Sequence, residues 1–320
     1  YQRAGRLALS RSADREASSH LRRGLDLLAA LPLGKARDHL ELALLTSFGI
    51  ALSAAKGYGD DGAVSAFERA RALVHRLESR EDIGSVFNGL FILYSNRAEF
   101  PKALEVAKEF MALTEGSSDP ITRSTAYRMV AVTHRLMGEI AISRPFCERA
   151  LELAPDLADV KQVWRLTHDP GIAARYNLAV ILWHSGEVEL SLAMERDALL
   201  RAERIRHGST LGFALAYIGC MSAYRRRDFA SLERLCARLS EHARSYRSPM
   251  WEAMGRVYRG RVQVERGRAA AGIEDLEHAI AAFDRMQIRF HKPLYLGMLA
   301  EGFLVRNRVA DALGLLEQAI

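Results

Sequence analysis

The chain has 320 residues, 49% hydrophobic and 26% charged, with 45 Lys and Arg against 39 Asp and Glu for a formal net charge of +6. That composition excludes a disordered or low-complexity chain, whose apolar content would be too small to offset the entropy of ordering. The length exceeds a usual single-core domain, so the chain either splits or grows as a repeat array that adds core with each unit.

From the N-terminus, apolar residues recur at helical spacing, and no stretch keeps the alternation of a half-buried strand. The first two helix pairs are expected at 1–32 and 35–78. Between the helices of the second pair, Gly57-Tyr58-Gly59-Asp60-Asp61-Gly62 formally satisfies G-x-G-x-x-G. That fingerprint binds a dinucleotide only after a strand and at the mouth of a helix. A helix precedes it here, so it reads as a connecting turn whose aspartates start the next helix as N-terminal anions.

From the third pair onward a repeat is visible. A turn residue recurs as Gly138 in L-M-G-E-I, Gly186 in H-S-G-E-V, Arg227 in R-R-R-D-F, Gly267 in E-R-G-R-A and Asn307 in V-R-N-R-V, at spacings of 48, 41, 40 and 40. Stepping back 40 residues from Gly138 gives Ala98 in R-A-E-F. Seven residues before the turn stand Ala131, Ala179, Cys220, Gly260 and Ala300; five after it stand Ser143, Ser191, Leu232, Gly272 and Ala312. Small residues there let two antiparallel helices approach closely; the repeat at Arg227 departs with Leu232, so its pair is expected to be more splayed. The further pairs are expected at 81–115, 119–155, 170–206, 208–246, 249–288 and 292–320, eight in all within one superhelical domain. Prolines agree with these bounds: Pro120, Pro170, Pro249 and Pro293 lie near the starts of first helices, and Pro32 and Pro155 close second helices. Pro145 falls inside its helix, which is expected to start late or kink. The predicted fold is all-α, a right-handed α-solenoid of antiparallel helix pairs with a period of about 40 residues, and its columns resemble the tetratricopeptide repeat.

The spacing from Gly138 to Gly186 is about eight residues longer than the period. The extra residues fall in an inserted loop at 156–169, where Trp164, His168 and Asp169 lie. Loops carry function more often than helices do, so these are candidate ligand contacts. Asp169 before Pro170 also reads as a helix N-cap followed by proline at the first helical position, and its adjacency to His168 does not by itself make an acid–base pair.

Positions ten, six and three before the turn should line the inside of a tetratricopeptide-like superhelix. They place Arg128, Arg135, Tyr176, Trp183, Tyr217, Met221, Tyr224 and Arg261 there. Aromatic anchors flanked by arginines suit an extended peptide or a protein helix with acidic groups. The alternative is that the same aromatics pack between neighbouring repeats. On the groove reading, replacing Trp183 and Tyr217 by Ala weakens partner binding with little loss of helix content.

Between Arg201 and Arg268 stand 15 Arg and 6 acidic residues. This window is either a solvated surface or a site for an anionic partner, nucleic acid included, although nucleic acid is not the expected partner. Cys147, Cys220 and Cys236 have no C-x-x-C pairing and no His at ligand spacing, which argues against zinc and disulfides and for a reduced, cytosolic setting. The longest uncharged runs, Leu42 to Ala55 and Thr210 to Tyr224, are shorter than the roughly 20 residues of a membrane span. No metal, cofactor or catalytic group is expected.

Three segments carry a narrower resemblance: H-L-R-R-G-L-D-L-L-A-A-L-P from His20, L-E-L-A-L-L-T-S-F-G-I-A-L-S-A-A-K-G-Y from Leu40, and T-H-D-P-G-I-A-A from Thr167. In this order they resemble the C-terminal helical-repeat region of large bacterial signalling ATPases, in which a cyclase or winged-helix DNA-binding domain precedes the ATPase module. The second segment departs from the family habit, since K-G-Y is followed by G-D-D-G rather than by a small-Pro-Glu stretch. The resemblance implies a regulatory arm that binds a ligand or partner, including the upstream domains of the same protein. No P-loop occurs in the sequence, and the chain opens at Tyr1 without Met and stops in helical sequence, so it reads as a piece of something longer. A free-standing adaptor of the same repeat class is the alternative.

Overall fold

The computed structural model describes residues 1–11, 13–77, 83–154, 168–205 and 207–320. Among them it has helices, turns and no strands. The described residues form two compact units: Tyr1–Gly116 with Met286–Ile288, and Ser117–Arg285 with Arg289–Ile320. A repeat array makes its contacts mainly between neighbours, so it divides naturally into blocks.

The first unit contains α1 (Gln2–Ser10), α2 (Asp14–Leu27), α3 (Lys35–Lys56), α4 (Asp61–Leu77), α5 (Ile83–Asn96) and α6 (Phe100–Thr114). Its core is built on aromatic rings against glycine. The Phe67 ring on α4 lies against Gly49 of α3 and Gly89 of α5, where an added Cβ would come within 2.6 and 2.5 Å of it. Phe87 stacks on Phe110 at 5.5 Å. The G-Y-G-D-D-G segment is the α3–α4 turn: Asp60 Oδ1 accepts from the Ala63 N–H at 3.0 Å, and Asp61 opens α4.

The second unit contains α7 (Pro120–Leu136), α8 (Ile140–Leu153), α9 (Pro170–His184) and α10 (Val188–Ile205). Next comes α11, α-helical over Gly208–Phe213, π-helical over Ala214–Cys220 and α-helical again over Met221–Arg225. The unit ends with α12 (Phe229–Ser245), α13 (Pro249–Glu265), α14 (Ala269–Arg285), α15 (Lys292–Val305) and α16 (Val309–Ala319). Successive helices pack as antiparallel pairs, the tetratricopeptide-like arrangement. Asp119, Asp169 and Ser248 cap the prolines that open α7, α9 and α13. Pro145 is tolerated inside α8, which begins in register at Ile140 without the expected late start.

All six turn residues have positive φ: Ala98, Gly138, Gly186, Arg227, Gly267 and Asn307 lie between 55° and 82°. The residue after each donates its N–H back to the carbonyl five earlier, as in Glu139 to His134 and Glu187 to Leu182, both at 2.9 Å. This left-handed cap satisfies the last carbonyls of the first helix and reverses the chain.

The small-residue columns meet across the pairs α7–α8, α9–α10 and α13–α14. Ser143 Oγ donates to the Ala131 carbonyl at 2.6 Å, and Ser191 Oγ to the Ala179 carbonyl at 2.7 Å. In the α13–α14 pair the same two columns are Gly260 and Gly272.

Candidate functional site

The inner positions of the second unit follow from that geometry. On α9, Tyr176 and Trp183 are seven residues apart and share a helix face. Arg135 of α7 reaches toward them: its Nε donates to Asn177 Oδ1 at 3.0 Å, and its guanidinium lies 5.8 Å from the centre of the Tyr176 ring. Asn177 is held in turn by its own donation to the Ala173 carbonyl.

Tyr176 opens a run of aromatic contacts. Its ring meets Phe213 edge-on at 5.5 Å and Tyr217 at 5.7 Å. Tyr217 meets Trp251 edge-on at 6.2 Å and His291 at 5.7 Å, and His291 lies 5.9 Å from Tyr295. At the other end His168 stacks on Phe213 at 4.5 Å, nearly parallel. Such ring pairs add specific geometry to the area they bury. Two features of α11 set this up. The π-helical stretch contains Tyr217, and Gly212 admits the Trp251 indole, whose Nε1 would lie 2.6 Å from a Cβ there.

The predicted inner residues divide into separate groups. Arg135, Tyr176 and Tyr217 belong to the aromatic run. Trp183 is half-buried under the Arg225 guanidinium at 5.2 Å, and Arg225 and Ser222 both bind the buried carboxylate of Glu195. Met221 is buried, and its sulfur accepts from the Tyr258 hydroxyl at 3.9 Å. Tyr224 is half-buried beside Arg261, and burial raises its pKa. Arg261 is buried, with Nε 2.8 Å from Glu301, Nη2 3.2 Å from Glu265, and the Phe229 ring 4.7 Å away. Arg128 is also buried, which lowers its pKa to about 10. Tyr217 is only 7% exposed, so its removal tests the core as much as it tests binding.

Of the inserted-loop candidates, Trp164 lies outside the described residues. His168 and Asp169 turn to different partners. Asp169 is fully buried and caps α9, accepting from the Ile172 N–H at 2.8 Å, while its own N–H donates to Thr210 Oγ1 at 3.0 Å. Burial raises the Asp169 pKa against that hydrogen bond and the charge of Arg201. His168 is held near pKa 3, first by burial and then by the charges of Arg128 and His207. His291 is likewise pushed down to about 3 by burial, with Arg135 adding to the effect. Both rings are therefore neutral near pH 7.

The sequence columns missed Phe213, Arg225, Trp251, His291 and Tyr295. His291 and Trp251 sit at or beside inter-repeat links, outside the inner columns. The available signal was the uncharged run from Thr210 to Tyr224, in which Gly212 marks the close approach of the Trp251 ring. Among the described residues there is no cluster of three or more metal-ligating side chains, and no helix is long and apolar enough to cross a membrane. The thiols of Cys147, Cys220 and Cys236 are buried and their pKa values raised, Cys147 to about 12 and Cys236 to about 11. In the Arg201–Arg268 window, Arg225, Arg238, Arg259, Arg261 and Arg266 each face a carboxylate.

No family model matches the chain. It is 22% identical over 321 residues to an uncharacterized protein of Rhizobium meliloti (strain 1021), a match that covers 99% of this chain and 31% of that protein. The chain thus spans about a third of the length of this curated relative. Among solved structures it is similar to a Rap protein complexed with Competence and Sporulation Factor, with TM-score 0.60 and 13% identity over 99% of this chain and 87% of that one. The apo form of RapI is similar at TM-score 0.58 and 12% identity, over 87% of this chain and 96% of that one. At these identities the likeness is one of fold, and the fold is a tetratricopeptide-like helical repeat.

Proposed function

We propose that the chain is a regulatory binding arm that takes a peptide or protein segment on the inner side of its second unit and works without chemistry of its own. The observation that carries this reading is the aromatic run of the second unit, in which Phe213, Trp251 and His291 are half-buried while Tyr176, Tyr217 and Tyr295 are buried behind them, with the half-buried Arg135 at its border and Trp183 half-buried on the same face of α9 as Tyr176. Aromatic anchors supply contact area at low entropic cost, and Arg135 offers a cation to a carboxylate. A Rap protein of the same fold was solved in complex with Competence and Sporulation Factor, which supports binding as the use of such a scaffold. The sequence resemblance, and the chain's span of 31% of its curated relative, support a place within a larger polypeptide. Our reading of that polypeptide is a cytosolic signalling ATPase with an upstream cyclase or winged-helix domain, whose domains are candidate partners.

Selection of short random peptides displayed on phage against the whole chain tests the binding reading. Enriched peptides should combine aromatic and acidic residues, and should lose affinity for the Trp183→Ala and Arg135→Ala variants. No enrichment, or peptides indifferent to both substitutions, would overturn it. Nucleic-acid binding through the Arg201–Arg268 window has less support, because many of its arginines already face carboxylates.

A further inference from the structure

His291 holds a position where a side chain ordinarily closes a helix. It is the N-cap residue of α15, and its carbonyl accepts the Tyr295 N–H at 3.1 Å, yet its side chain makes no capping hydrogen bond. Ser, Thr, Asp or Asn would serve that role. The imidazole lies instead in the aromatic run, 5.7 Å from Tyr217 of α11 and 5.9 Å from Tyr295 of its own helix, with the Phe290 ring 3.8 Å away. There its Nε2 is buried and has no hydrogen-bond partner among the described residues. Buried polar atoms are nearly always paired, so an orphaned one calls for a reason.

Arg135 of α7 is the second incomplete group. Of the inner arginines, Arg225 is paired with Glu195, and Arg261 with Glu301 and Glu265. Arg135 holds only the neutral Asn177 amide oxygen and the face of the Tyr176 ring, and no described carboxylate pairs with it. Tyr176 and Tyr217 are 5.7 Å apart, so Arg135 against one ring and His291 against the other border the same pair. The Arg135 charge is felt at His291, where it adds to burial in keeping the ring neutral, and no acidic side chain acts against it. The positive N-terminal end of α15 works in the same direction. Tyr217 and Tyr295 bring hydroxyls, Trp251 of α13 brings no charge, and the neighbouring Lys292 is paired with Asp284 of α14. The field at His291 is therefore positive, and the group that suits it is an anion.

Resting on the inner binding site proposed above, we propose that His291 is a specificity-determining residue of that site: its Nε2 meets a ligand carboxylate that Arg135 attracts, and the ring takes up one proton from solvent as the carboxylate binds. The bound carboxylate supplies the acidic neighbour that the free ring lacks and offsets the Arg135 charge. The imidazolium then donates its Nε2–H to a carboxylate oxygen, a charge-assisted hydrogen bond. A neutral hydroxyl or amide from the ligand would also fill Nε2, but it leaves Arg135 uncompensated and takes up no proton.

The probe is the peptide most enriched in the phage selection, synthesised with a free or an amidated C-terminus, and again with its Asp and Glu changed to Asn and Gln. These forms tell a side-chain carboxylate from a terminal one. Calorimetric titration into the whole chain at about pH 7.5 and about pH 5.5, in two buffers of different ionisation enthalpy, gives the Kd and the number of protons taken up. The wild-type chain, checked by circular dichroism to be folded at both values, should bind the carboxylate form about tenfold more tightly at the lower pH, with net proton uptake. That change is expected when a ring neutral down to about pH 3 returns to an ordinary histidine pKa of about 6.5 in the complex. His291→Gln keeps a hydrogen-bonding side chain that cannot ionise, and should lose the pH dependence whatever its affinity at neutral pH. The proton count on the wild-type chain decides the matter without any variant. Binding to the wild-type chain without proton uptake, or the same pH dependence in His291→Gln, overturns this proposal and leaves the binding reading standing. If no peptide is enriched, both fall.

Discussion

Gly260 on α13 and Gly272 on α14 cross with no side chain between them: a Cβ on Gly272 would lie 2.6 Å from the Gly260 carbonyl oxygen and 3.0 Å from the Val264 amide nitrogen. In an ordinary exposed helix Gly→Ala stabilises by roughly 1 kcal/mol through backbone entropy and propensity. Here the new methyl meets backbone that cannot rotate away, and overpacking of this kind costs typically 1–3 kcal/mol. Gly272→Ala should therefore lower the urea midpoint of unfolding. A raised midpoint would show that the two helices are not in backbone contact.

The cap at Ala98 has the opposite sign. Its φ is 59°, a region where a side chain costs roughly 1–2 kcal/mol and glycine pays no steric cost. Gly138, Gly186 and Gly267 already occupy the equivalent site in other pairs. Ala98→Gly should raise the thermal midpoint, with a net gain of about 0.5–1 kcal/mol after the extra flexibility of the unfolded chain is subtracted. Thermal melts followed at 222 nm check this, and a lower midpoint would mean that the turn does not adopt the left-handed cap.

These positions explain why the repeat was legible. A left-handed cap and a close helix crossing each demand a residue type at a fixed place, so Gly138, Gly186, Ser143 and Ser191 show in the sequence as columns. The aromatic run makes no such demand. Tyr217 reaches His291 because the chain folds back over two helix pairs, and the π-helical stretch that contains it has no period of its own. Burial of Tyr217 and Met221 was equally hidden, since a position facing inward in a generic repeat is covered or open according to which side chains its neighbours bring.

Trp183 and Tyr217 should consequently respond differently to truncation. Tyr217 is buried among Tyr176, Phe213, Trp251 and His291, and Tyr217→Ala should cost about 3–5 kcal/mol, the usual range for a core aromatic. Trp183 is half-buried with Arg225 above it, so Trp183→Ala should unfold close to wild type. Chemical denaturation of both variants distinguishes them. Equal losses would place the two side chains in the same environment and remove Trp183 as the better probe of binding.

The two neutral histidines make the second unit sensitive to mild acid. An unfolded histidine takes up its proton near pH 6.5, whereas His168 and His291 resist protonation down to about pH 3. Between those values the unfolded chain binds more protons than the folded one, so stability is fully present above about pH 6.5 and falls as the pH drops toward 3. Each ring contributes up to about 1.4 kcal/mol per pH unit inside that window. His207 and His242 are shifted downward by burial as well and add with the same sign. The thermal midpoint should hold steady above about pH 7.5 and decline between about pH 6.5 and 5, before most carboxylates titrate. His291→Gln removes one titrating ring and should flatten the decline, whatever its effect on the midpoint at neutral pH. A midpoint independent of pH across that range, or a slope unchanged by His291→Gln, would show that these rings take up protons in the folded chain and are not enclosed by the aromatic run.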